Sequence, residues 1–250
     1  MAHDPAASPP PEATGTTADA GARAESDAVL ARRAQILATE HWGLLAARST
    51  AQSEVLTRIT IFLTLVSAGL VTIGLLGQAS GYAGWFSPAM LGILAFLAVI
   101  GFMTQLRVMN VGAEDMMYVV AMNRLRGGYV DLDPQVAQYM LASTTDDRAG
   151  MDRTYSFIAR RSAANHLFAS SMALIVVVNG CVDGLLTGAL VVTETGAVGW
   201  AIAVGVAVGL VGGLIAMRLG YVQYRDAWRR YRPRRPTLGP PAFLRDPADR

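Results

Sequence analysis

The stretch ITIFLTLVSAGLVTIGLLGQASGYAGWFSPAMLGILAFLAVIGFMTQL, from Ile59 to Leu106, decides the fold. Its 48 residues contain no Asp, Glu, Lys, Arg or His. A bilayer core about 30 Å thick is crossed by roughly 20 apolar residues in a helix, so the run is long enough to cross twice. Soluble cores rarely go so long without a charge. In its middle, Gln78-Ala-Ser-Gly-Tyr-Ala-Gly-Trp-Phe-Ser-Pro88 gathers Gly, Ser, Pro and aromatics, the composition of a turn. The expectation is two membrane helices, about 59–77 and 87–106, with Pro88 at the tolerant start of the second. Thr57, Thr60, Thr64 and Ser67 recur every three or four residues and put hydroxyls on one face of the first. Such hydroxyls either bond their own i−4 carbonyl or line a polar path.

A second apolar block, 165–217, divides at Thr193-Glu-Thr-Gly196 into spans of about 167–191 and 198–217. Gly180, Gly184 and Gly188 step by four along the third span, and Ala201, Gly205, Gly209 and Gly213 do so along the fourth. Small residues at this step let helix backbones approach closely in lipid, so the two stripes are expected to pack tightly. Asp183 is the one ionisable residue well inside a span. It shares a helical face with Ser171, Asn179 and Thr187, and an intramembrane carboxylate is by default a functional candidate. With entry near Leu167 it falls in the outer part of the hydrocarbon core; with a deeper helix it reaches the outer headgroups.

The remaining segments are polar. Residues 1–24, rich in Ala, Pro, Thr and Gly, lack the basic start and apolar core of a signal peptide and read as a disordered tail. Ser26 or Asp27 is placed to cap a long amphipathic helix over 25–58, where Leu30, Leu37, Leu44 and Ala51 recur every seven residues. That stripe suits a partner helix, in the same chain or in another subunit. Between the second and third spans, a helix is expected over 113–126, with Glu114 and Asp115 in its first turn and Gly127-Gly128 ending it. A short helix capped by Asp133 follows, then a turn at Thr144-Thr-Asp-Asp147 in which Asp146 or Asp147 can cap the next element. Past Arg218, the tail carries Arg225, Arg229, Arg230, Arg232, Arg234 and Arg235 among Tyr221, Tyr224, Trp228 and Tyr231. Beside a membrane span such a cluster points to anionic lipid headgroups rather than to nucleic acid. The Pro-rich end, 233–247, reads as disordered.

All 21 basic residues are Arg, which hints at a GC-rich bacterial source. Five precede the first span, seven lie between the second and third, nine follow the fourth, and the two short turns have none. The positive-inside rule places both termini and the central segment in the cytoplasm. The single Cys181 excludes a disulfide, and the separated His3, His41 and His166 offer no zinc or haem ligand set. The acids lack the loop spacing of a calcium site. No phosphate loop, catalytic triad or HExxH is present, so neither an enzyme nor a bound cofactor is expected.

The residues Glu40-His-Trp-Gly-Leu-Leu-Ala-Ala-Arg-Ser-Thr50, Arg58-x-x-x-Phe-Leu-Thr64, Met122-Asn-Arg-Leu-Arg126 and Asp146-Asp147 resemble uncharacterised four-span integral membrane proteins of actinobacteria, over about residues 35–215. The layout is also similar to the SLATT membrane effectors, which have two spans and are linked to nucleotide-triggered bacterial defence. The fold class expected is all-α, a polytopic membrane protein with four transmembrane helices and helical cytoplasmic segments. As function, the sequence favours an oligomeric, channel-like protein with cytoplasmic gating helices. A non-conducting scaffold or sensor, and a small dimeric carrier, are the alternatives. The topology is directly testable: reporters fused after Ser80 or Glu194 should read outside, and those after Leu141 or the C-terminus inside. One inverted reporter overturns the charge argument.

Overall fold

The computed structural model describes residues 15–156 and 170–238. Its elements are α1 (Gly15–Ser80), α2 (Phe86–Leu132), a 3₁₀ helix (Pro134–Tyr139), α3 (Arg148–Tyr155), α4 (Ser171–Thr195) and α5 (Val198–Arg230). All four long helices are long and apolar enough to cross a membrane. The chain is a multi-pass, all-helical membrane protein. α1 packs on α2, α2 on α4, and α4 on α5. Ile202, Val206, Leu210 and Leu214 step by four along the exposed side of α5, and Val71, Leu75, Val99 and Phe102 are exposed on the first hairpin. In a bilayer these are lipid-facing surfaces.

Several boundaries differ from expectation. α1 starts at Gly15 rather than at a cap on Ser26 or Asp27, because the alanines alternating through 18–24 are the strongest helix formers. Residues 1–14, the rest of the expected disordered tail, lie outside the described residues. α1 then runs unbroken into the first span. α2 likewise continues from the membrane to Leu132, past Gly127 and Gly128. Those glycines admit neighbours instead of stopping the helix. A Cβ on Gly127 would stand 2.3 Å from Arg235 Nε, and one on Gly128 would stand 3.2 Å from Leu37 Cδ1. Glu114 and Asp115 are therefore mid-helix, and they serve as ion-pair partners rather than first-turn acids. The expected start of the third span at Leu167 lies outside the described residues. α4 begins at Ser171, with Ser170 Oγ capping the Ala173 N–H at 3.2 Å.

The turn between α1 and α2 uses positive φ at Gly81 and Gly84, and Gly196 closes α4 at φ 67° with its N–H on Val192 O. At the polar end, Asp133 caps the 3₁₀ helix and Asp147 caps α3. Leu44 of the heptad stripe packs into a cluster of Val119, Val120, Met122 and Met151, and Ala51 packs against Val55, Ile59, Phe62 and Val108. Leu37, Leu44 and Ala51 of the stripe thus meet α2 and its neighbours within the chain, while Leu30 is exposed.

The two glycine stripes form one seam. A Cβ on Gly205 would lie 2.5 Å from Gly184 O, and one on Gly209 equally close to Gly180 O; Gly188 faces Ala201 O. Gly213 differs, meeting the Val176 side chain. Because backbone stands opposite backbone, an added methyl can be accommodated only by parting the helices. Gly205→Ala should therefore cost roughly 1–3 kcal/mol in reversible detergent unfolding. Gly212→Ala, which meets nothing within 4 Å, should be neutral or stabilising by up to about 1 kcal/mol. Equal effects would show that the seam is not the packing surface.

Candidate functional site

Two polar constellations stand out, one inside the membrane and one at the arginine-rich end. In the membrane, Asn179 is buried and reaches from α4 to α2, its Nδ2 donating to Gly101 O at 2.9 Å and to Gln105 Oε1 at 2.6 Å. Gly101 makes the crossing possible, since a Cβ there would be 2.2 Å from Asn179 Oδ1. One turn further along α4 lies Asp183. It is the thirteenth of 25 residues, about 18 Å from either end of the helix at 1.5 Å per residue. Its neighbour Gly184 lies against Gly205, mid-way along the apolar part of α5. Asp183 therefore sits near the middle of α4. Its side chain is partly exposed, and among the described residues its carboxylate has neither a hydrogen-bond partner nor an ion pair.

The other candidate polar residues are satisfied locally. Thr187 donates to Asp183 O, and Thr60, Thr64 and Ser67 donate to Leu56 O, Thr60 O and Leu63 O at 2.9 Å each. Carrying each hydroxyl on its own helix removes the need for a partner elsewhere. Ser171 is the exposed first residue of α4. Thus Asn179, Asp183 and Thr187 follow one another along α4, whereas the hydroxyls of α1 are on an exposed face of the first hairpin.

At the arginine-rich end, ion pairs join α1 to α2. Arg107, which ends the apolar run, donates to Glu54 at 2.8 Å and to Glu114 at 3.0 Å. Arg48 holds Asp115 at 2.6 Å, with Gln52 and the Tyr155 hydroxyl on the same carboxylate. Burial and the acceptor Asp115 both push the Tyr155 phenol up from its ordinary range. His41 stacks on Tyr129, and burial, with Arg126 nearby, lowers its pKa.

The centre of this end is Asp146, which is fully buried. Its carboxylate accepts from Arg124 Nε (2.7 Å), the Tyr231 hydroxyl (2.9 Å) and the backbone N–H groups of Arg234 (3.1 Å) and Arg235 (2.7 Å). Its own N–H donates to Arg235 O. Asp147, while capping Gly150, accepts the Thr237 N–H at 2.7 Å and its hydroxyl at 3.0 Å. Arg235 also pairs with Asp131. The segment after α5 is therefore strapped to α2 and α3 over Tyr231–Thr237; residues 239–250 of the Pro-rich end lie outside the described residues. Of the arginines expected at lipid headgroups, Arg234 and Arg235 are engaged here. Arg225, Arg229, Arg230 and Arg232 are exposed or partly exposed.

The sequence singled out Asp146-Asp147 as a cap and a resemblance motif, but not as a clamp. Its partners in the tail lie 85 to 90 residues further along. Among the described residues, no group of three or more His, Cys, Asp or Glu is arranged to hold a metal ion. Comparison with protein-family models, curated proteins and solved structures gives no match.

Burial opposes ionisation of Asp146, but the four donors outweigh it and hold the carboxyl below its ordinary range. With the folded value depressed, the stabilisation is complete above the unfolded pKa of about 3.9 and is lost as pH falls through the folded one. Amide exchange at Arg235 and Thr237, corrected for intrinsic rate, should show protection that is flat above about pH 5 and collapses below about pH 4. Asp146→Asn should lower it by tenfold or more at neutral pH, the loss of about 1.4 kcal/mol or more expected when charge-assisted bonds are weakened. Asp226→Asn should leave it unchanged. Unaltered protection in Asp146→Asn would mean that the strap is held by something else.

Proposed function

We propose that this chain is one protomer of an oligomeric, channel-like protein of the bacterial plasma membrane. Both termini lie in the cytoplasm, and Asp183 faces a polar path shared between protomers. The observation that carries this reading is a carboxylate at the middle of an apolar helix, partly exposed, with no partner in its own chain among the described residues. Leaving it to lipid costs about 2.5–3.5 kcal/mol on insertion scales, which water or a neighbouring protomer relieves. Thr187, one turn on, is partly exposed beside it, whereas Asn179, one turn before, is buried against α2. The close α4–α5 seam leaves no room between those two helices, so the path belongs between protomers. The strapped tail and the ion-paired ends of α1 and α2 are the parts suited to gating.

A non-conducting scaffold or sensor is the second reading. It is favoured by the extent of ordered contact at the arginine-rich end, where α2, α3 and the tail converge on Asp146. A small dimeric carrier has no comparable observation behind it. Cation flux into liposomes separates the first two. Wild-type protein should conduct, and Asp183→Asn, equally expressed and assembled, should change the conductance or its pH dependence about tenfold, as expected when a fixed charge leaves a low-dielectric path. Flux identical in wild type and Asp183→Asn removes Asp183 from the path. No wild-type flux under any gradient favours the scaffold.

A further inference from the structure

Beyond the apolar run α1 and α2 stay in contact, and three basic side chains stand along their junction. His41 of α1 stacks on Tyr129 of α2, with ring centres 6.0 Å apart. Arg126 lies one turn before Tyr129 on α2, and Arg48 lies two turns past His41 on α1. The charge of Arg126 acts on His41, and that of Arg48 acts on Arg126, so the three stand within one another's field.

Not all of this charge is answered. Arg48 is paired with Asp115, on which Gln52 and the Tyr155 hydroxyl also converge. Arg126, partly buried, makes one hydrogen bond, to the neutral Asn123 Oδ1 at 2.7 Å, an oxygen it shares with the Thr154 hydroxyl. Among the described residues no carboxylate acts on Arg126, and burial together with Arg48 disfavours its charge. Glu40, next to His41 in the sequence, is exposed and pairs with neither group. Independently of this, His41 Nδ1 is buried without a hydrogen-bond partner. A guanidinium with most of its donor fork unused and an unmatched ring nitrogen, at one helix junction, are the donors that an oxyanion takes.

Position and charge identify the anion. His41 and Arg126 lie about 27–29 Å along their helices from Ile59 and Arg107, where the apolar run begins and ends. Lipid headgroups occupy roughly the first 5–7 Å outside the hydrocarbon, so a bilayer phosphate does not reach the junction. The ligand is therefore soluble. An anion beside His41 draws the imidazole into its charged form, and two cations match a phosphate, with a charge of about −1.5 to −2, better than a carboxylate.

We infer that the α1–α2 junction binds the phosphate group of a small soluble compound, with the Arg126 guanidinium and the His41 ring donating to its oxygens. A phosphate held there bridges the two helices that continue unbroken into the membrane. Binding at this junction is independent of whether the protomers conduct.

Full-length protein in detergent, with its histidine rings isotope-labelled and the His41 resonance assigned by its loss in His41→Phe, tests the assignment by NMR. Inorganic phosphate at millimolar concentration should raise the midpoint of the His41 titration by about half a pH unit or more, a threefold or greater preference for the charged ring. Acetate, or chloride at matched ionic strength, should not. Arg126→Gln should raise the midpoint without phosphate, because a like charge is gone, and should weaken phosphate binding about tenfold. Arg126→Lys keeps the charge and stem but loses the fork; it should bind about threefold more weakly and serves as the second variant should Arg126→Gln fail to fold. Arg229→Gln, exposed on α5, should change neither quantity. A His41 midpoint unmoved by phosphate, an equal response in Arg126→Gln, or an equal response to acetate would overturn the assignment. A shift produced by phosphatidylglycerol in the micelle without free phosphate would make the ligand a lipid and overturn it as well.

Discussion

Inside a bilayer there is no water to complete a hydrogen bond, so each polar group must find its partner within the protein. Most of this architecture follows from that constraint. It keeps the spans helical from end to end and turns the hydroxyls of Thr60, Thr64 and Ser67 back onto their own carbonyls. It also makes Asn179 useful as a cross-brace, since its amide finds acceptors on Gly101 and Gln105 of the neighbouring helix. Asn179 Oδ1, buried without a donor, and Asp183 are the exceptions. The Asp183 carboxylate is the one intramembrane charge that the described part of the chain does not answer, and the functional reading rests on that imbalance.

Lipid tails are as apolar as the side chains facing them, so the hydrophobic effect cannot join two spans; close packing must. The glycine seam between α4 and α5 supplies it, with carbonyls of each helix set against the Cα positions of the other. Beyond the membrane the balance changes. There Asp146, buried among four donors, fixes the chain after α5, and the Glu54–Arg107–Glu114 and Arg48–Asp115 pairs join α1 to α2. Because α1 and α2 are continuous from the membrane into this polar end, a shift at one end has a rigid route to the other.

Membrane spans and the glycine seam are legible in the sequence because each is a local pattern: a long run without charge, or a small residue every four positions. The continuity of α2 is not, because Gly127-Gly128 carries the same signal whether it ends a helix or makes room for Arg235 and Leu37. The clamp at Asp146 is illegible for another reason. Its donors include Tyr231, Arg234 and Arg235, far along the chain, and only folding brings them together. Arg148 likewise reads as one basic residue after a turn until α3 sets it over Tyr224. Asp183 is visible in the sequence, but its lack of a partner is not, since that depends on which side chains the packing of α4 brings beside it.

The central claim is that Asp183 meets water or a polar neighbour inside the membrane. The most direct measurement is thiol accessibility in proteoliposomes of the Asp183→Cys variant, with exposed Cys181 replaced by Ser. Thiols react as thiolates, which form only where water reaches. The account predicts that the thiol at 183 reacts with a membrane-impermeant methanethiosulfonate at a rate well above that of a Val206→Cys control on the lipid face. Equal inertness of the two positions, with both still labelled in detergent, would place residue 183 in lipid or sealed packing and contradict the polar path.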